Sequence, residues 1–161
     1  MIVKKTFTKS KQLDIKGATL LSLDEAASLL TEEERCYGPT WWLRTPGSLS
    51  SWACRVLAGG DVECVGNYVD DRLVGVRPAL IINRIKSSGW KVGDIFEFGG
   101  KEFKILSPKL AWMYKDDIGH CAFRKNFKAD DANDYEASDI KKFVDNWFEV
   151  ASSDTIESSF F

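Results

Sequence analysis

The chain has 161 residues, of which 44% are hydrophobic and 29% charged, values of an ordinary globular protein long enough to bury a core without covalent staples. Its net charge of −2, from 22 basic against 24 acidic residues, lacks the basic footprint of a dedicated DNA or RNA binder. No apolar run reaches the length of a membrane-spanning helix, so neither nucleic acid nor membrane is expected as a partner.

Residues 1–17 carry little periodicity, and Lys4, Lys5, Lys9, Lys11 and Lys16 suggest a solvated arm. Met1-Ile2-Val3 leads into polar sequence instead of the apolar centre of a signal peptide, so a cytoplasmic location is expected, or release as part of a phage-like particle. Ala18–Leu21 is a short apolar run. The box Ser22-Leu23-Asp24-Glu25 starts a helix with the face Leu23, Ala26, Ala27 and Leu30, and Thr31–Glu34 repeats the signal before Gly38-Pro39. A tryptophan-rich strand, Thr40–Arg44, is broken by Pro46-Gly47. Ser51–Ala58 and Asp61–Val65 read as a hairpin around Gly59-Gly60, Tyr68–Leu73 as a loop, and Val74–Ile82 as a strand buried on both faces.

The second half opens with a turn at Ser87-Ser88-Gly89. Ile95–Phe98 and Lys101–Leu106 form a second hairpin pattern around Gly99-Gly100, with weaker strands at Leu110–Tyr114 and His120–Phe123. After an acidic loop at Asp130–Asp134, Ser138 caps a helix from Asp139 to about Val150, striped by Ile140, Phe143, Val144, Trp147 and Phe148. The segment beyond Ala151 is polar and ends in Phe160-Phe161.

Four cysteines, Cys36, Cys54, Cys64 and Cys121, show no paired spacing, and His120 is the sole histidine, so reduced packed thiols are expected and no metal or other cofactor. His120-Cys121 has the residue types of a base and nucleophile, but neighbours in a strand point to opposite faces. No Gly-rich phosphate loop or nucleophile elbow is present.

Two segments carry a family likeness: Trp41-Trp42-Leu43-Arg44-Thr45-Pro46-Gly47 and Gly75-Val76-Arg77-Pro78-Ala79-Leu80. Together they resemble the signature of a C-type-lectin-like domain family of unknown function, frequent in gut bacteria and their mobile elements. The resemblance implies an α+β C-type-lectin-like fold of antiparallel sheets with two helices, spanning 1–161 as one domain. Its halves stand in reverse order here: residues 18–82 resemble the family's C-terminal half and 92–150 its N-terminal half. A circularly permuted domain is therefore expected, in which Val74–Ile82 pairs antiparallel with Asp94–Phe98 in one molecule; a swapped dimer is the alternative to a monomer.

Within that frame Trp41, Trp42, Arg44 and Arg77 are expected as framework. The adjacent tryptophans face opposite sides of a strand, one filling the core and the other covered by loops or partly exposed. Arg77, in apolar surroundings, needs a carboxylate or backbone carbonyls for its fork. The ligand surface is expected between Ser48 and Leu73, at Trp52, Arg55, Tyr68, Asp70 and Arg72, where polar loops with aromatic residues sit on a rigid sheet. The oxygen-ligand triplets of calcium lectins are missing, so Asp70-Asp71, Asp116-Asp117 and Asp130-Asp131 read as solvated turns. Cys54 and Cys64 invite comparison with oxygen-dependent formylglycine-generating enzymes, which share the broader fold, but a two-residue turn at Gly59-Gly60 would set them on opposite faces. The expectation is a non-enzymatic ligand-binding or structural module for an unknown protein or glycan, phage- or mobile-element-encoded. A small enzyme with an unrecognised site is the alternative.

Overall fold

A computed structural model describes residues 13–36, 38–83 and 89–159, with the side chains of Cys64 and of 154–159 left aside. The lysines before Leu13, the turn at Ser87-Ser88 and Phe160-Phe161 lie outside the described residues. The protein is mixed α+β, with antiparallel sheets and, among the described residues, three α-helices where two were expected. In chain order the elements are β1 (Ile15–Thr19), α1 (Leu23–Leu29), α2 (Glu32–Arg35), β2 (Trp41–Pro46), β3 (Trp52–Val56), β4 (Val62–Tyr68), β5 (Ala79–Ile82), β6 (Ile95–Phe98), β7 (Lys101–Ser107), β8 (Leu110–Met113) and α3 (Asp139–Ser159), with a 3-10 turn at Tyr135–Ala137. Among the described residues no helix is long and apolar enough to cross a membrane.

Local chemistry sets the helix starts. Ser22 accepts from the Glu25 amide while Glu25 Oε1 accepts from the Ser22 amide at 2.8 Å, and Thr31 with Glu34 repeats the reciprocal pair. Gly99 and Gly100, at φ +60° and +77°, make the two-residue turn between β6 and β7, where Phe98 faces Lys101. The Gly59-Gly60 loop differs from expectation. Val56 pairs with Val62 and Leu57 N donates to Asp61 O, so the loop is longer than two residues, and β4 continues to Tyr68 past a bulge of its own between Glu63 and Asn67. The cause is packing: a Cβ on Gly60 would lie 2.6 Å from Glu32 O of α2. The register that set Cys54 and Cys64 on opposite faces therefore does not hold.

Two sheets carry the fold, one ordered β1-β5-β8-β7-β6 and the other β2-β3-β4. Strands from both parts of the chain share the larger sheet, but β5 lies between β1 and β8, not beside β6. The expected pairing of Val74–Ile82 with Asp94–Phe98 is thus wrong: β8 and β7 separate the two, and β6 is an edge. Only Ala79–Ile82 is strand. The stretch before it leaves the sheet to meet β2, with Gly75 bonded to Thr40 and Trp42 at 2.7 and 3.0 Å. His120–Phe123 is no strand either, since a single bridge from His120 to Gly75 replaces a ladder. At the C-terminal side α3 runs nine residues past the expected Val150, to Ser159.

The core follows from strand alternation. Trp41 points into one cluster with Leu21, Leu43, Val56 and Trp112, and Trp42 into another with Val69, Val76, Phe123 and Val144. Both are fully buried, at 1% and 0% exposure, so neither faces a ligand. Trp42 Nε1 donates to Cys121 O at 2.9 Å and its ring meets Phe123 edge-on at 5.6 Å. A third cluster joins Phe96, Phe98 and Phe103 to Trp147 and Phe148 of α3.

Arg77, 1% exposed, lies over Trp112 at 3.9 Å and Trp41 at 4.9 Å. Its Nε donates to Asp116 O at 3.0 Å and its Nη2 to Met113 O at 3.1 Å, so carbonyls satisfy these donors. Replacing Arg77 by Ala should destabilise the protein by about 3 kcal/mol, through lost ring contacts and orphaned carbonyls. Arg77→Lys, which keeps the charge but loses the planar fork, should recover only part of that in urea unfolding.

Candidate functional site

Of the five expected ligand residues, Trp52 and Tyr68 lie at one end of the smaller sheet, Asp70 and Arg72 follow Tyr68 in the chain, and Arg55 lies toward the other end of β3. Trp52 and Tyr68 are directly opposed across β3 and β4, with rings 5.6 Å apart at 81°. Trp52 is half-buried and Tyr68 is 55% exposed, so the pair offers its tyrosine edge outward. Arg55 and Glu63 are also cross-strand partners and form an ion pair, Nε to Oε2, which uses Arg55 within the sheet. Asp70 and Arg72 are exposed and form no ion pair with any described residue. Asp71 is held instead, accepting from Asn67 Nδ2 at 2.8 Å and from the Leu73 amide at 2.9 Å, which shapes the turn.

The segments on either side are bound to each other. Ser48 N donates to Val65 O, Trp52 N to Leu49 O, Val69 N to Ser51 O and Asp71 N to Tyr68 O, at 2.9–3.1 Å. Gly47 permits this closeness, because a Cβ there would lie 2.8 Å from Val65 O. Three apolar side chains of these segments are open to solvent although no ligand role was expected of them: Leu49 at 52%, Val65 at 54% and Leu73 at 79%. Their signal in the sequence is only that they are apolar inside polar loops. Trp52 and Tyr68 thus share one face, with Asp70 and Arg72 exposed on the turn that follows, whereas Arg55 serves the sheet.

The framework arginine Arg44 lies on β2 and faces the start of α1. Its Nη1 donates to Leu20 O and Glu25 Oε1, both at 2.6 Å, and so fixes the start of α1. Burial pushes the Glu25 carboxyl up, but the bond from Arg44 and the Ser22 amide together hold it below its usual range. Glu34 beside Lys104 is depressed in the same way, as is Asp116 beside Lys101 and within the field of Arg77.

The His120-Cys121 pair lacks the features of a nucleophilic site. Burial pushes the Cys121 thiol to about 11, which keeps it protonated at neutral pH, and His120 is exposed. Among the described residues no three His, Cys, Asp or Glu side chains converge as metal ligands. Asp116 is taken by Lys101 at 2.9 Å and Asp131 by Arg124 at 3.3 Å. Compared with models of protein families, with curated proteins and with solved structures, the chain matches none.

Carboxylates depressed in the folded state add stability that is present above their unfolded pKa values and lost as pH falls through the folded ones. Acidification below about pH 4.5 should therefore lower the melting temperature progressively, and Glu25→Gln should flatten that fall. Thermal melts of both proteins across the acid range measure it.

Proposed function

We propose that the protein is a non-enzymatic binding module of C-type-lectin-like fold that engages a protein partner through the face of Trp52, Tyr68 and the segments around them. The observation that carries the reading is the cluster of exposed apolar and aromatic groups, Leu49, Val65, Tyr68 and Leu73, on two segments locked together by backbone hydrogen bonds. Soluble proteins seldom leave several large apolar side chains exposed on one rigid feature without a use for them. Asp70 and Arg72 beside them supply charges of both signs, a polar rim around an apolar centre. The fold assignment rests on the two tryptophan and arginine motifs, and the mixed α+β architecture is compatible with it. Both parts of the chain contribute strands to one sheet, but the pairing expected of a permuted domain closed within one chain, Val74–Ile82 with Asp94–Phe98, is absent, so the permutation is not part of this proposal.

Binding should survive or fail with this face independently of folding. Tyr68→Ala and Leu73→Asp should each melt within a few degrees of the parent, since exposed substitutions change stability by about 0.5 kcal/mol or less. Both should weaken the protein partner recovered on the immobilised chain by about tenfold or more, measured by calorimetry. Trp52→Ala is less selective: its half-buried ring supports Tyr68, so it should also cost about 1–2 kcal/mol of stability. A partner bound equally well by parent, Tyr68→Ala and Leu73→Asp would place recognition elsewhere.

A further inference from the structure

A second surface, sharing none of these residues, has the build of a small-molecule site. Between α1 and the end of the larger sheet lies a cavity of about 490 Å³ whose apolar wall is formed by Ile81, Leu110 and Leu29. Ile81 is the telling residue. It sits on β5, a strand paired on both sides, yet it is 42% exposed where its neighbours Leu80 and Ile82 are buried. Its cross-strand partners are Leu110 on β8 and Gly17 on β1. Opposed residues project to the same face, and a Cβ on Gly17 would meet nothing within 4 Å, so the missing side chain leaves room beside Ile81.

Charge at the rim selects the ligand. Arg44 is neutralised by Glu25 at 2.6 Å, whereas Lys109, exposed on the β7–β8 turn, forms no ion pair with any described residue. Lys109, a cation without an ion-pair partner among the described residues, thus lines the same half-open pocket as the apolar wall, in a volume within the range of ligand pockets. We propose that this cavity binds an apolar monocarboxylate, its hydrocarbon part on Ile81 and Leu110 beside Gly17 and its carboxylate on the Lys109 ammonium. A dicarboxylate would meet Glu25, and a cation would be repelled by Lys109.

Titration of the ¹⁵N-labelled chain with 3-phenylpropionate, and with 3-phenylpropanamide as the uncharged control, tests this. The carboxylate should saturate with a Kd on the order of 1 mM, shifting the amides of Gly17, Ile81, Leu110 and Lys109, and the amide compound should bind about tenfold more weakly. Lys109→Gln, on an exposed turn, should remove that preference, and Gly17→Leu should abolish binding of both compounds. Failure to saturate, shifts confined to other residues, or an unchanged preference in Lys109→Gln would each overturn the proposal. Because Tyr68 and Leu73 are not part of the cavity, Tyr68→Ala and Leu73→Asp should titrate like the parent.

Discussion

A guanidinium packed against two indoles holds the two sheets of this protein in register. Trp41 comes from the smaller sheet, Trp112 from the larger, and Arg77 from the segment that passes between them. A buried cation is costly unless its donors are met, and carbonyls of Met113, at the end of β8, and of Asp116, in the loop that follows, meet them. The requirement runs both ways: the indoles need the arginine to fill the space between them, and the arginine needs the loop to be where it is. Pro78 and the buried residues around it explain why the chain can leave one sheet for the other here, since a proline contributes no amide that a ladder would have to satisfy.

With the two tryptophans committed to opposite cores, the exposed aromatic and apolar side chains of the smaller sheet lie at the far end of β3 and β4. That end combines rigidity with exposure. Its backbone is closed by hydrogen bonds between the segments at 47–52 and 65–71, while Tyr68 and Leu73 remain open. Such a surface loses little conformational freedom on association, which favours binding per unit area. The bulge in β4 between Glu63 and Asn67 contributes by shifting the register so that Trp52 faces Tyr68 while Arg55 still faces Glu63.

Much of this was legible in the residues and some was not, for physical reasons that differ. Capping boxes at Ser22 and Thr31 and the glycine turn at Gly99-Gly100 are local devices, complete within a few residues, and the sequence states them outright. The framework roles expected of Trp41, Trp42, Arg44 and Arg77 came from the resemblance of two short segments to a family signature, and the burial of both tryptophans and Arg77 agrees with them. The neighbour of β5 did not follow, because pairing is decided by packing between residues far apart in the chain: an apolar run such as Val74–Ile82 fits beside any strand. Burial all along that run also hid the change of sheet at Gly75. Nothing in a single sequence marks Leu49, Val65 and Leu73 as exposed, since solvent exposure of an apolar loop residue depends on what the rest of the chain fails to cover.

The place of β5 at the centre of its sheet has a consequence for biosynthesis. One neighbour, β1, precedes it, but the other, β8, ends at Met113 and leaves the ribosome on the order of a few seconds after Ile82. Over that interval one side of β5 has its amides and carbonyls unpaired, the state in which strands recruit copies of themselves. Arg77 and Trp41 must likewise wait for Trp112 before their stack can form. The larger sheet therefore cannot close before β8 has been made, whereas the smaller one, β2-β3-β4, is complete in the chain by Tyr68.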